Sequence, residues 1–299
     1  MSYPRQVLPG TTYLVSRRCS QRQFLTRPSK KINNALLFCL SEASRKYGVL
    51  IHASIVMGNH FHVVATDPEG QLPRFMHWFC EFSAKCINSL YDRWESVWCP
   101  GSYSAVVLVD QEAVLKELVY TLTNPVKAGL VMYGHQWPGL RHGPADLGRP
   151  LTSRRPYFFF RKNGPLPEFS TLVLSKPPAF SEVSDDDYAQ LVMCEVERKE
   201  AEYREQARLE GRRYWGRRAV LAQSPSGAPR TQAPRRRLNP RVAGADKKRR
   251  TEAIEQIKAF VQSYRVALSK FKEGLRDVLF PAGTYWMRVH QGVACAAPG

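Results

Sequence analysis

Along the first 130 or so residues the apolar positions switch between a period of two and a period of three to four, and the switches predict an ordered set of elements. Residues 12–18 read as a strand. Ile32, Leu36, Cys39, Leu40, Ala43 and Tyr47 form the stripe of a first helix, which Gly48 ends. Residues 49–56 and 61–66 read as a hairpin turning through Gly58-Asn59. Leu72, Phe75, Met76, Phe79, Cys86, Ile87 and Leu90 mark a second helix, and residues 103–109 a further strand. From Gln111, the stripe Val114, Leu115, Leu118, Val119 and Leu122 predicts a third helix that stops at Asn124-Pro125, because a residue before proline avoids helical dihedrals. Strand, helix, strand, strand, helix, strand, helix is the order of an α+β, ferredoxin-like split βαβ palm with an antiparallel sheet and helices on one face. A mainly helical, basic C-terminal extension is expected to follow it.

In that extension the pattern is looser. Residues 137–178 are rich in Pro, Gly, Arg and aromatics, including Arg154-Arg155-Pro156-Tyr157-Phe158-Phe159-Phe160-Arg161. Such a segment could stack bases and grip phosphates, or wrap the domain and bury its aromatics. Asp185-Asp186-Asp187 suits a helix N-terminus and leads into a helix over 188–211 whose later part is densely charged. A Ser/Pro/Gly/Ala linker is expected at 223–234, flanked by Arg212, Arg213, Arg217, Arg218, Arg235, Arg236, Arg237, Lys247, Lys248, Arg249 and Arg250, clusters that, with Arg154 and Arg155, are expected to bind DNA phosphates. Ile254, Ile257, Val261, Tyr264, Leu268, Phe271, Leu275 and Val278 then recur at spacings of three and four, a heptad-like seam. That seam could build a homodimer or dock on the chain's own helices. Residues 280–289 read as a turn and short strand. The division expected is a catalytic domain over 1–135, an accessory wrapped and helical part over 136–222, a basic linker over 223–250 and an amphipathic helix with a short strand over 251–299.

Charge narrows the partner. A formal net charge of +18 over 299 residues and a pI near 9.8 imply a polyanion, since phosphate neutralisation with counterion release is what such an excess favours. No apolar run approaches the ~20 residues of a membrane span, and Met1-Ser2-Tyr3-Pro4 opens no signal-peptide stretch, so no membrane is expected as partner. Seven cysteines, odd in number and without a Cys-x-x-Cys pair, read as reduced thiols of a cytoplasmic, disulfide-free protein.

Candidate chemistry lies in two places. In a strand His60 and His62 point the same way, and imidazole is the commonest metal-ligating side chain, so the pair makes half of a divalent-metal site with open positions. Tyr120 and Asn124 share a helix face if the last turn survives to the proline; tyrosine can be a covalent nucleophile, and an amide oxygen can ligate a hard cation. Each pair also has an ordinary reading: hydrogen-bonded histidines that alternate by chance, a tyrosine at the core edge, an asparagine closing a helix.

Taken together, His60-Phe61-His62 and the later Tyr120-Thr121-Leu122-Thr123-Asn124-Pro125-Val126-Lys127-Ala128-Gly129-Leu130-Val131 resemble the HUH single-tyrosine transposases, within them the REP-associated tyrosine transposase branch. Met57-Gly58-Asn59 also resembles that branch's turn before the histidines, where proline is commoner than Gly58, and Thr121 stands where many members carry isoleucine. The similarity runs from about residue 11 to 131, less than half of the chain. It implies a divalent cation, magnesium or manganese, on His60 and His62 with Asn124 as third ligand. Tyr120 would attack a scissile phosphate in single-stranded DNA, at a hairpin-forming repeat, leaving a 5′-phosphotyrosine and a free 3′-hydroxyl. Two neutral imidazoles and an amide would leave the cation its full charge, which suits an anionic substrate. No acidic residue in the two motifs stands out as general base.

Two other functions remain open on the same residues. A ferredoxin-like sheet is also the scaffold of non-catalytic single-strand binders, with Phe61 as a stacking platform, although the two aromatic-rich strand motifs rimmed by Lys and Arg that such modules need have no good match in the sequence. A hydrolytic nuclease would need His60 but not Tyr120.

Overall fold

The computed structural model describes residues 4–101, 103–231 and 241–297. At its centre β1 (Thr11–Arg18), β2 (Leu50–Val56), β3 (His60–Asp67) and β4 (Ser104–Leu108) form an antiparallel sheet in the order β2-β3-β1-β4. α1 (Lys30–Tyr47) connects β1 to β2, and α2 (Leu72–Tyr91) connects β3 to β4, which is the split βαβ connectivity. α3 (Gln111–Lys127) follows directly. The short β5 (Arg141–His142) pairs with the outer edge of β2. Next come the separate hairpin of β6 (Pro150–Arg154) and β7 (Phe169–Val173), then α4 (Asp185–Leu209) and α5 (Gly216–Leu221). β8 (Val242–Ala243) runs parallel to β4 at the other edge of the sheet, and α6 (Lys247–Lys272) and α7 (Trp286–Gln291) close the chain's helices.

Helices cover both faces of the sheet, where the sequence pattern suggested one. Phe61, Val63 and Ala65 of β3 join Tyr13 and Val15 in a core with α1 and α2, while Leu14 and Val64 pack with Leu118 and Val119 of α3 and Val192 of α4. The reason is visible in the strands themselves: β1 and β3 are apolar at successive positions, as strands buried on two sides are.

Local signals set the element ends. The Ser29 hydroxyl accepts from the Ile32 amide and starts α1, and Gly48, at φ 66°, ends it in the left-handed region. Asp110 caps α3 by accepting from the Ala113 amide at 2.7 Å, and its other oxygen accepts from the amide of Asp246, tying the start of α6 to the start of α3.

α3 does not stop before Pro125; it continues to Lys127. A proline inside a helix removes an amide that a carbonyl four residues back would have used. Other bonds hold the turns around it. Arg141 donates to the Leu122 carbonyl at 2.9 Å. Beyond the proline, Gly129 donates to Val126 and Leu130 to Pro125, both at 2.9 Å, a Schellman closure with Gly129 at φ 69°. The last turn therefore survives, and Asn124 stays on the helix face of Tyr120.

In the extension the structure chooses between the alternatives left open and shifts some element bounds. Phe158, Phe159 and Phe160 wrap onto the α1/α2 core, Phe160 lying 5.5 Å from Phe38 and 5.8 Å from Phe82, so burial rather than base stacking accounts for them. The expected linker is held along its described residues: Phe24 donates to the Gly227 carbonyl, and Arg27 to those of Leu221 and Gln223, while α6 already begins at Lys247. The heptad-like seam outruns its helix, which ends at Lys272 before Leu275 and Val278, and its later half docks within the chain: Tyr264, Leu268 and Phe271 pack around Phe280, Val278 and Met287. Residues 280–289 hold isolated bridges at Phe280 and Thr284 and the start of α7 in place of a short strand. No helix among the described residues is long and apolar enough to cross a membrane.

Phe61 is 1% exposed, with its ring 5.2 Å from both Phe79 and Trp98 on the face covered by α1 and α2, so it offers no stacking surface to a base. Phe61→Ala should lower stability by about 3–5 kcal/mol, the usual loss for a buried Phe-sized cavity. Urea unfolding checks this, and a loss below about 1 kcal/mol would place Phe61 outside the core.

Candidate active site

His60 and His62 begin β3, immediately after a tight turn through Gly58-Asn59 that Met57 closes by donating to the His60 carbonyl at 2.8 Å. The loop between β1 and α1 grips this turn. Cys19 donates to Asn59 and Thr26 to Gly58 through their amides, and the Thr26 hydroxyl donates to the Met57 carbonyl. The Asn59 side-chain NH2 donates to the Arg22 carbonyl at 3.1 Å, which turns its oxygen toward His60 Nδ1 at 2.7 Å. An amide oxygen can only accept, so Nδ1 carries the ring proton and Nε2 is left with a free lone pair.

The antiparallel register places both imidazoles on the α3 face of the sheet, where His60 lies across from Arg18 and His62 from Ser16. α3 brings its side chains from the opposite direction. The two imidazole centroids are 5.0 Å apart, His62 and the Tyr120 ring are 5.2 Å apart edge to face, and Lys127 Nζ stands 5.0 Å from the Tyr120 ring centre. Asn124, buried, is within hydrogen-bonding reach of His60. Glu117, Tyr120, Asn124 and Lys127 follow one another at helical spacings of three and four, a polar stripe beside the apolar one. The four motif residues singled out in the sequence thus meet in one place.

Both imidazoles are neutral at neutral pH. Burial pushes His60 down to about 4, the Arg18 charge acts in the same direction, and the Asn124 contact opposes them. His62 is held well below the ordinary imidazole range by burial first and then by the charges of His60, Arg18 and Lys127. Its Nδ1 is buried with no hydrogen-bond partner. Among the described residues no group of three or more His, Cys, Asp or Glu is placed to hold a metal ion, so the donors on offer here are imidazole nitrogens and the Asn124 amide. Neutral, lone-pair-bearing nitrogens and an amide oxygen fit a divalent cation of intermediate hardness. Burial also raises the Glu117 carboxyl, against the pull of Lys116 and Lys127.

The basic residues expected to bind DNA scatter. Arg154 exchanges backbone and side-chain hydrogen bonds with Asn34 of α1 and pairs with Glu168 at 2.9 Å, and Arg155 donates to the carbonyls of Leu166 and Lys162, so both serve the β6–β7 hairpin on the far side of the sheet. Arg212 lies nearer, donating to the Lys127 carbonyl at 3.4 Å and pairing with Glu210 at 3.3 Å, with Arg213 exposed beside it. Lys247, Lys248, Arg249 and Arg250 form the first turn of α6, at the start of α3 rather than near Tyr120, and Arg250 donates to the Gly244 carbonyl. Arg235, Arg236 and Arg237 lie outside the described residues. Sequence reasoning missed Arg18 and Asn59, whose roles depend on strand register and on turn geometry, and gave Lys127 no role within its motif.

Comparisons with protein-family models and with curated proteins give no match. Among solved structures, the chain is similar to a REP-associated tyrosine transposase bound to a REP hairpin, at 19% identity and a TM-score of 0.40, over 46% of this chain and 81% of that one. It is also similar to a crystal structure described as "a putative transposase" from Deinococcus radiodurans R1, at 17% identity and a TM-score of 0.27, over 36% of this chain and 85% of that one.

The site's electrostatics can be read directly. In a nuclear magnetic resonance titration of the metal-free protein, the His60 ring should stay neutral from pH 8 to 5 and protonate only near pH 4. A midpoint near the ordinary 6.5 would mean the ring is solvated and the pocket open.

Proposed function

We propose that this protein is a metal-dependent, single-stranded DNA transposase or endonuclease that cuts and rejoins its substrate through a 5′-phosphotyrosine on Tyr120. The observation that carries this reading is the meeting of Tyr120 and Asn124, from one helix face, with His60 and His62, from one strand face. A core histidine pair would be expected to have its ring nitrogens satisfied, yet His62 Nδ1 has no partner. The two sequence motifs and their resemblance to the single-tyrosine transposases support the same chemistry.

Held by His60, His62 and Asn124, a magnesium or manganese ion would supply Lewis-acid polarisation of a non-bridging phosphate oxygen. The rest falls to the chain. Asn59 holds the His60 proton on Nδ1, and the His62 ring stands edge-on to Tyr120 and restricts its swing. The cationic Lys127, 5.0 Å from the Tyr120 ring centre, places a positive charge beside the attacking group, where an anionic phosphate would come. The Tyr120 oxygen bonds to phosphorus as the bond from phosphorus to the 3′-oxygen breaks. That oxygen leaves with the electron pair and takes up one proton, matching the one Tyr120 gives up. One phosphoester replaces another, so a 3′-hydroxyl can reverse the step without ATP. Following the resemblance, the substrate is a single strand carrying a hairpin, with Arg212, Arg213 and the Lys247–Arg250 turn adding sequence-independent affinity.

The test uses hairpin-bearing single strands labelled at the 5′ or the 3′ end, with manganese, on denaturing gels. The wild type should form an adduct that keeps the 3′ label and loses the 5′ label, while Tyr120→Phe and His60→Ala fall to background. Cleavage that persists in Tyr120→Phe without an adduct would replace the covalent mechanism by hydrolysis, and binding without cleavage on every substrate would remove the enzymatic reading.

A further inference from the structure

Most cations close to the candidate site are already engaged. Arg141 donates to the Leu122 carbonyl and lies 3.8 Å from Glu200, Arg204 pairs with Glu200 at 3.6 Å, and Arg212 pairs with Glu210. Arg17, one residue before Arg18, turns to the other face of the sheet and donates to the carbonyls of Cys99 and Gly101. Two cations are different. Arg18, the last residue of β1, lies across from His60 and so shares its face, exposed; among the described residues its guanidinium makes no hydrogen bond or ion pair. Lys127, the last residue of α3 and exposed, forms no ion pair among the described residues and rests over the rings of Tyr120, at 5.0 Å, and Tyr203 of α4, at 6.0 Å. The groups that feel its charge are Glu117 on its own helix and His62 on the sheet.

These positions form a sequence in space. Arg18 flanks His60; His60, His62, Tyr120 and Lys127 then follow with neighbouring spacings of 5.0, 5.2 and 5.0 Å. Two unpaired positive charges therefore bound a row of neutral rings. Both charges are exposed and carry no anion from the protein, so a polyanion laid along the row would meet a cation at each end of it.

We propose that Arg18 and Lys127 are a phosphate clamp, two cations on different elements that hold the backbone of a single strand on either side of Tyr120. The clamp rests on the reading of this site as a DNA-cleaving centre for its purpose, but its grip is a property of binding and can be measured without cleavage. Arg18 presents a planar fork that can take two phosphate oxygens; Lys127 acts as a point charge. Their separation on two elements also explains why no run of basic residues announces them.

The experiment measures binding of a fluorescent single-stranded oligonucleotide by anisotropy, in EDTA, across a salt series. Each phosphate contact on a single strand contributes about 0.7 to the slope of log affinity against log salt. Arg18→Gln and Lys127→Gln should each reduce the slope by about 0.7 and the double variant by about 1.4, whereas Arg18→Lys and Lys127→Arg keep it. Arg198→Gln, an exposed residue paired with Glu195 and Glu202 on α4, serves as the control that leaves the slope unchanged. Unchanged slopes in folded Arg18→Gln and Lys127→Gln, or an equal loss in the charge-keeping variants, would overturn the clamp. The labelled-strand assay on the wild type separates the two ideas: an adduct with unmoved slopes leaves the covalent chemistry and removes the clamp, while moved slopes without an adduct leave the clamp and remove that chemistry.

Discussion

The alternation of side chains along β3, held in register against β1, is the constraint on which the site depends. Phe61 enters the core between Phe79 and Trp98, and its neighbours His60 and His62 are thereby sent to the other face. A slip of one residue would exchange them, placing a phenyl ring beside Tyr120 and two imidazoles in an apolar core. Burying a polar ring without a partner costs on the order of 1–3 kcal/mol, and the Phe61 cavity more, so the two penalties defend the same register. The grip of Cys19, Arg22 and Thr26 on the Gly58-Asn59 turn defends it from the other end.

A second element must meet the first. α3 can offer Tyr120 and Asn124 together only if its helix outlasts Pro125; it continues to Lys127, with Arg141 on the Leu122 carbonyl and a closure at Gly129 holding its last turns. Arg141 is itself steadied by Glu200, whose carboxylate also accepts from the Gly134 amide. The extension after residue 135 is thus part of what holds the candidate nucleophile's helix in shape. Burial keeps the imidazoles neutral, and the flanking cations reinforce that neutrality while remaining available to an anion.

Much of this was legible in the sequence, for reasons that can be named. Periods of two and of three to four gave the element order, since burial on a face imposes them. His60 with His62, and Tyr120 with Asn124, could be paired because those same periods say which side chains share a face. Other features were not legible. The cover on the second face of the sheet could have been inferred from successive apolar residues such as Leu14-Val15 and Val63-Val64, but the helix-order rule pointed to one layer. The continuation of α3 through Pro125 to Lys127 runs against the preference of the residue before a proline, and the bond from Arg141, sixteen residues later, that holds the preceding turn comes only with the tertiary fold. Basic runs drew attention to Arg154 and Arg155, which hold a hairpin in place, while Arg18 gains its place only from the pairing of β1 with β3.

The central claim is that one strand face and one helix face converge on a single divalent cation beside Tyr120. Crystals of the protein grown with manganese, and measured at a wavelength where that metal scatters anomalously, test it most directly. An anomalous peak held by His60, His62 and Asn124 is the expected result. A peak only at other residues, or none at saturating manganese, would contradict it and leave the two histidines as structural groups of the fold.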